Sequence, residues 1–311
     1  MNADFTIVEV GPRDGLQNEK VVLDPQTRLE FAERLAMAGI NKIELSAFVS
    51  PKWVPQMAGA SDLIREALRR QQLKESPLRN AEISALVPNL RGMNDALEVN
   101  LKNVAIFASA SESFAKKNIN CSIEESFERF AQVMTLASAN GVRVRGYLSM
   151  CFGCPFEGSI SESRVVELSE RLLKMGVYEV SIGDTIGVAT PAQVKSLGGM
   201  LVNSLGAHHV AMHFHDTRGT ALANILASLD LGIRTFDSSL GGLGGCPYAP
   251  AATGNVATED VLYMLHGMGL KSGIDLEALI PLNKWVSQKV GRELPSRVGR
   301  AGLPRLISSD S

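Results

Sequence analysis

The chain has 311 residues, 45% apolar and 21% charged, the proportions of a soluble globular protein with room for a large core. Lysine and arginine number 31 against 33 aspartates and glutamates, a net charge of −2; with no basic stripe or aromatic-interleaved charge run, a nucleic-acid partner is not expected. No apolar run reaches the roughly 18 residues of a membrane span, and four cysteines are too few for a disulfide framework in a chain this long.

MNADFTIVEV enters a strand almost at once, so no leader peptide is expected, and the expected location is the cytoplasm. Asp24-Pro25 then opens a helix, with Leu29, Ala32, Leu35 and Ala36 as its apolar stripe and Gly39 as its stop. The β-branched runs KIELSAF, AEISALV and NVAIFAS follow in turn. Ser122 and Glu125 form a capping box ahead of another helix. VRVRGYLSM and YEVSIG read as two more strands, and Thr190-Pro191-Ala192-Gln193 combines an N-cap, a first-turn proline and a glutamine at the third helical position. HVAMHF and TFDSSL complete a set of eight. Strands alternating with helices, with no long polar linker, predict an α/β fold: a single (β/α)8 TIM barrel spanning 1–311, with extra C-terminal helices. A doubly wound open sheet is the competing arrangement. The basic, then Ser-rich stretch from about residue 295 to 311 reads as a loose tail.

Catalytic groups of such barrels gather where strands end and the following loops begin. His213 and His215 stand one residue apart in the seventh strand run, AMHFHDTRG. Strand side chains repeat every two residues, so both imidazoles leave one face, as a divalent metal requires. Asp14, in the turn-rich VGPRDGLQNE, can complete a mixed nitrogen and oxygen site, or can serve only as the aspartate of an Asp-Gly turn. Its neighbour Arg13 can hold a carbonyl or carboxylate and stabilise an enolate oxygen, or form a rim salt bridge. Glu44 in KIELS should point into the barrel while Ile43 and Leu45 face the helices. An inward carboxylate is costly unless it is paired or functional, so it orients a ligand or proton-transfer group, or pairs with an inner arginine.

Asp184 in SIGDTIG sits at a comparable position, with a turn role as the alternative. The glycine-rich stretch 241–248 lacks the residues of a phosphate loop and reads as a mobile loop carrying Cys246 to the barrel mouth, where a thiol can move a proton. Asn255 offers an amide oxygen to a metal. Glu259 lies in a helix first turn, where an acidic residue is favoured in any case. Cys151 and Cys154 form a C-x-x-C without a second pair or a thioredoxin-like context, and two buried or loop thiols explain it more simply.

Through EVGPRDGLQNE, SAFVSPKWVPQM, KKNINCSIEES, GCPFEG, GDTIG, HFHDT and GLGGCPYAPAATGNVATED, nearly the whole chain resembles the hydroxymethylglutaryl-CoA lyase family, among the metal-dependent barrel lyases and Claisen-type synthases. The resemblance implies cleavage of 3-hydroxy-3-methylglutaryl-CoA to acetyl-CoA and acetoacetate by a homodimer acting on an acyl-CoA. It implies Mg2+ or Mn2+ on Asp14, His213, His215 and Asn255. Arg13 would bind substrate and stabilise the enolate, and Cys246 would protonate it. Glu44, Asp184 and Glu259 match functional positions. One departure is Arg218, where family members often carry an aromatic residue. Alternatives are a lyase for a larger 3-hydroxy-3-alkylglutaryl-CoA, a synthase condensing acetyl-CoA with a 2-oxo acid, and a catalytically dead binding protein.

Overall fold

Each of the eight apolar runs forms a strand: β1 (Thr6–Glu9), β2 (Lys42–Ala47), β3 (Glu82–Leu86), β4 (Asn103–Ser109), β5 (Arg143–Ser149), β6 (Val180–Asp184), β7 (Val210–Phe214) and β8 (Thr235–Ser238). The computed structural model describes residues 3–245 and 254–304. All neighbouring strands are parallel and the sheet closes, with Thr6 of β1 beside Thr235 of β8 and Glu9 beside Ser238. Closure decides against the open doubly wound sheet.

The helices that cover the barrel are α1 (Pro25–Met37), α2 (Ala60–Gln71), α3 (Leu90–Glu98), α4 (Glu112–Ile119), α5 (Ile123–Ala139), α6 (Glu162–Lys174), α7 (Pro191–Leu205), α8 (Ala221–Asp230) and α9 (Thr258–Gly267). Their ends follow local chemistry. The Asp24 carboxylate accepts the Thr27 N–H at 3.0 Å, and Ser122 and Glu125 close both halves of their capping box. Leu29, Ala32 and Leu35 of α1 are buried against the barrel, while Ile43 and Leu45 of β2 are buried beneath the helices. Among the described residues, no helix is long and apolar enough to cross a membrane.

Two further helices, α10 (Leu276–Val290) and α11 (Arg297–Ala301), follow the last barrel helix. The expected loose tail is corrected over its first part. Ser296 is buried, donates its N–H to the Gly241 carbonyl (3.0 Å) and its hydroxyl to Asp260 (2.8 Å), and the Asp260 carboxylate also accepts the Val298 N–H (2.8 Å). One carboxylate thereby caps α11 and ties it to α9. Residues 305–311 lie outside the described residues.

Candidate active site

At the end of β1 the chain makes a wide turn, with the N–H groups of Arg13 and Gly15 both on the Val10 carbonyl at 3.1 Å. This turn lifts Arg13 and Asp14 over the C-terminal mouth of the barrel. His213 is the fourth residue of β7 and His215 follows the strand, so the alternation read from the sequence brings both rings to one side, 5.3 Å apart between centroids. Asp14, His213 and His215 each offer a ligand atom, and these atoms lie within 4.8 Å of one another. Asn255 arrives from a segment threaded between β7 and β8, where the Val256 N–H meets the Phe214 carbonyl and the Val256 carbonyl accepts from Ser239, both at 3.0 Å. Asn255 Nδ2 donates to Asp14 Oδ2 (2.9 Å) and to the Leu243 carbonyl (3.1 Å), so its amide oxygen takes no part in either bond.

Beside this trio lies a second cluster. Arg13 donates Nε to Glu44 and Nη1 to Asp14 (2.7 Å), and Tyr147 gives its hydroxyl to the other Glu44 oxygen (2.9 Å). Glu44 therefore takes the reading in which an inward carboxylate pairs with an arginine, and that arginine touches Asp14. Deeper in the barrel, Arg145 bridges Glu179 (2.7 Å) and Asp237 (2.8 Å), and Asp237 faces His213 Nδ1 (3.2 Å). The Tyr147 ring lies between the two guanidiniums, 5.6 Å from Arg13 and 5.1 Å from Arg145.

Whether a cation fits can be judged from the donors themselves. Two guanidiniums, Arg13 and Arg145, contact four carboxylates, Asp14, Glu44, Glu179 and Asp237, an excess of two negative charges when all are ionised. The excess is one when His213 carries a charge, a form that burial opposes but that Asp237 and Asp14 favour more strongly. Buried charge in excess calls for a counter-ion. His215 is buried, and its Nδ1 has no hydrogen-bond partner among the described residues. Burial and the neighbouring His213 hold its pKa down to about 4, leaving the ring neutral with a lone pair to give. Burial works against the Asp14 carboxylate, but Arg13 and the two histidines outweigh it and bring its pKa to about 2. Two neutral-capable imidazoles and an ionised carboxylate suit a divalent ion, and these residues could hold one.

A profile of the HMGL-like family matches residues 4–286. The chain belongs to the HMGL-like family. It is 48% identical over 295 residues to the hydroxymethylglutaryl-CoA lyase of Pseudomonas mevalonii, covering 95% of each chain. It is 46% identical over 299 residues to the 3-hydroxy-3-isohexenylglutaryl-CoA/hydroxy-methylglutaryl-CoA lyase of Pseudomonas aeruginosa, covering 96% of this chain and 97% of that one. A solved HMG-CoA lyase from Acinetobacter baumannii, in complex with coenzyme A and 3-methylmalate, matches with a TM-score of 0.90 and 34% identity over 99% of both chains.

Not every residue singled out in this HMGL-like chain joins the cluster. Asp184 ends β6, and its carboxylate accepts the N–H groups of Val188 (2.9 Å) and Ala189 (3.0 Å), so it organises its own loop. Arg218 supports the same loop through the Ile186 (2.9 Å) and Gly187 (2.8 Å) carbonyls. Glu259 is fully buried and accepts from the Gly241 N–H and Asn283 Nδ2, both at 2.8 Å, which anchors the start of the glycine-rich loop. Cys246 lies outside the described residues. Cys151 and Cys154 are buried free thiols, bonded to the Leu148 carbonyl (3.0 Å) and the Ser111 hydroxyl (2.9 Å). Glu9, Arg145, Tyr147 and Asp237 escaped the sequence reading. For Arg145, Tyr147 and Asp237 the signal was available: each is a polar residue at an inward position of an apolar strand run, the criterion that finds Glu44, whereas Glu9 shares the helix-facing side with its register partner Ile43.

Proposed function

We propose that this chain is a divalent-metal-dependent lyase cleaving 3-hydroxy-3-methylglutaryl-CoA to acetyl-CoA and acetoacetate. One observation carries the reading: a chain matching the HMGL-like family over residues 4–286 brings Asp14, His213 and His215 together beside Arg13 at the strand ends of its barrel. These three residues and the Asn255 amide oxygen would hold Mg2+ or Mn2+, which supplies Lewis-acid polarisation of the substrate's tertiary hydroxyl. That hydroxyl loses its proton, its C–O bond becomes the keto group of acetoacetate, and the neighbouring C–C bond breaks. The electron pair of the broken bond passes to the thioester fragment as an enolate.

Arg13 holds the thioester oxygen. Its Nε and Nη1 are fixed on Glu44 and Asp14, and Nη2 takes part in neither bond, so the guanidinium is oriented before the enolate charge develops. Glu44 and Tyr147 act by positioning Arg13. Cys246, which follows Gly244-Gly245 in the sequence, would return a proton to the enolate carbon and form the methyl group of acetyl-CoA. The proton lost from oxygen passes to water, and the Cys246 thiolate regains a proton from water, so one proton leaves oxygen, one reaches carbon and the thiol is restored. The proposal includes the cytoplasmic homodimer expected from the sequence.

A second reading, acceptance of larger 3-alkyl groups, is favoured by the P. aeruginosa relative, whose name includes 3-hydroxy-3-isohexenylglutaryl-CoA. The test is product analysis of purified protein given 3-hydroxy-3-methylglutaryl-CoA, its 3-isohexenyl analogue, or acetyl-CoA with a 2-oxo acid. Acetoacetate from the first substrate supports the proposal, turnover of the second alone transfers it to the larger acyl group, and condensation of the third alone overturns it.

A further inference from the structure

The two histidines of the candidate metal centre are held differently, and the difference lies on the side away from Asp14. His213 of β7 and Asp237 of β8 are register partners on adjacent parallel strands, so their side chains enter the barrel side by side. The Asp237 side chain is wholly buried; Oδ2 is hydrogen-bonded, whereas Oδ1 is held by an ion pair rather than a hydrogen bond. Oδ1 lies 2.8 Å from Arg145 Nη2. Oδ2 accepts the Ser181 hydroxyl at 2.6 Å and faces His213 Nδ1 at 3.2 Å. Arg145 is itself braced by Glu179 through Nε (2.7 Å). A chain of contacts thus crosses the barrel from Glu179 through Arg145 and Asp237 to His213.

An ionised carboxylate accepts hydrogen bonds and cannot donate them. The contact at Nδ1 is therefore satisfied only when that nitrogen carries the proton. A neutral imidazole protonated on Nδ1 has its lone pair on Nε2, the ring atom turned away from Asp237. No such partner fixes His215, whose buried Nδ1 is without a hydrogen bond among the described residues.

We infer that Asp237, held by Arg145 and Ser181, is a positioning residue that fixes His213 as the Nδ1–H tautomer and so presets Nε2 as the first ligand for the divalent ion. This rests on the metal-dependent reading proposed above. Asp237 touches neither substrate nor ion; it acts through the orientation and protonated nitrogen of His213. Partners of this kind commonly change metal affinity by about 10- to 100-fold.

The test combines Mn2+ titration by electron paramagnetic resonance with 15N-histidine NMR of the Mg2+-loaded protein. Wild-type protein should show the His213 proton on Nδ1. Asp237→Asn should raise the Mn2+ dissociation constant about 10- to 100-fold, and Ser181→Ala, which removes only the supporting hydroxyl, should raise it less. A His213 proton on Nε2 in the wild type, or unchanged Mn2+ affinity in a folded Asp237→Asn protein, overturns the inference. If Asp237→Asn fails to fold, the wild-type tautomer and the Ser181→Ala titration still decide. Failure of wild-type protein to bind any divalent ion overturns the metal-dependent reading itself, an outcome distinct from binding without help from Asp237.

Discussion

Replacing Glu9 by glutamine should remove a pH-dependent share of stability while keeping the turns that Glu9 holds. Glu9 is fully buried; Oε1 accepts the N–H groups of Gly11 (2.9 Å) and Leu240 (2.8 Å), and Oε2 accepts the Thr258 hydroxyl (2.6 Å). It thereby ties the turn bearing Arg13 and Asp14 to the start of the glycine-rich loop. Burial outweighs the three bonds and raises the carboxyl pKa from 4.5 to about 7. A carboxyl with a raised folded pKa binds its proton more tightly in the folded state. Its stabilising contribution is full below its unfolded pKa and is lost as pH rises through the folded value. A shift of this size corresponds to about 3 kcal/mol, of which about 2.5 kcal/mol disappears between pH 5 and pH 8.

Glutamine keeps an oxygen for Gly11 and Leu240, and its amide can donate to Thr258, whose hydroxyl then turns to Ser238 Oγ, 2.8 Å away. Denaturant unfolding of metal-free wild type and Glu9→Gln at pH 5 and pH 8 should therefore show the variant gaining about 2 kcal/mol relative to wild type across that interval. Other titrating groups cancel in the difference, except Glu259. Burial and the charge of Glu9 are among the causes that raise Glu259 to about 7, so removing the Glu9 charge enlarges the effect. Parallel pH profiles for the two proteins would refute the reasoning.

Three other substitutions probe separate parts of the site. His215→Ala should weaken Mn2+ binding by more than about a hundredfold, beyond the usual cost of losing an outer partner, and abolish acetoacetate formation together with it; metal-free turnover at the wild-type rate would contradict this. Cys246→Ala should leave the Mn2+ dissociation constant unchanged while lowering kcat by about 10²- to 10⁴-fold, the range of a lost proton-transfer group; normal turnover would remove the thiol from the proposed mechanism. Gly241→Ala places a Cβ at φ 67° and 2.8 Å from Leu294 Cβ, beside Asn283. It should cost about 2–4 kcal/mol of unfolding free energy, measured by chemical denaturation, and an unchanged midpoint would show that this junction yields more easily than its packing implies.

The eight strands were legible because each is a short β-branched run bounded by helix caps whose chemistry is local: Asp24, Ser122 and Thr190 announce helix starts within four residues. The histidine pair was legible for the same reason, since period-two alternation carries His213 and His215 to one face without reference to the rest of the chain. Glu44 needed one further step, that a carboxylate inside a barrel requires a partner, but its partners could not be read from KIELS. They come from β5 and from the turn after β1, 103 and 31 residues distant. Asp237 was missed although TFDSSL reads as a strand, because its register beside His213, which gives the carboxylate a purpose, is set by the pairing of β7 with β8. Asp184 and Glu259 show the converse. Their motifs are conspicuous, yet Asp184 accepts from backbone N–H groups of its own loop, and Glu259 from the Gly241 N–H and the Asn283 amide. The segment after residue 295 misled because its composition is polar, whereas a single carboxylate, Asp260, anchors its start.

The most direct measurement is a paired titration: metal-stripped protein receives Mn2+ stepwise, with bound ion and acetoacetate formed from 3-hydroxy-3-methylglutaryl-CoA determined in the same samples. Acetoacetate formation that is absent without metal, rises in proportion to bound Mn2+ and saturates at one ion per chain is the expected result. Acetoacetate formed without metal, or a fully loaded site that forms none, would contradict the proposed metal-dependent cleavage.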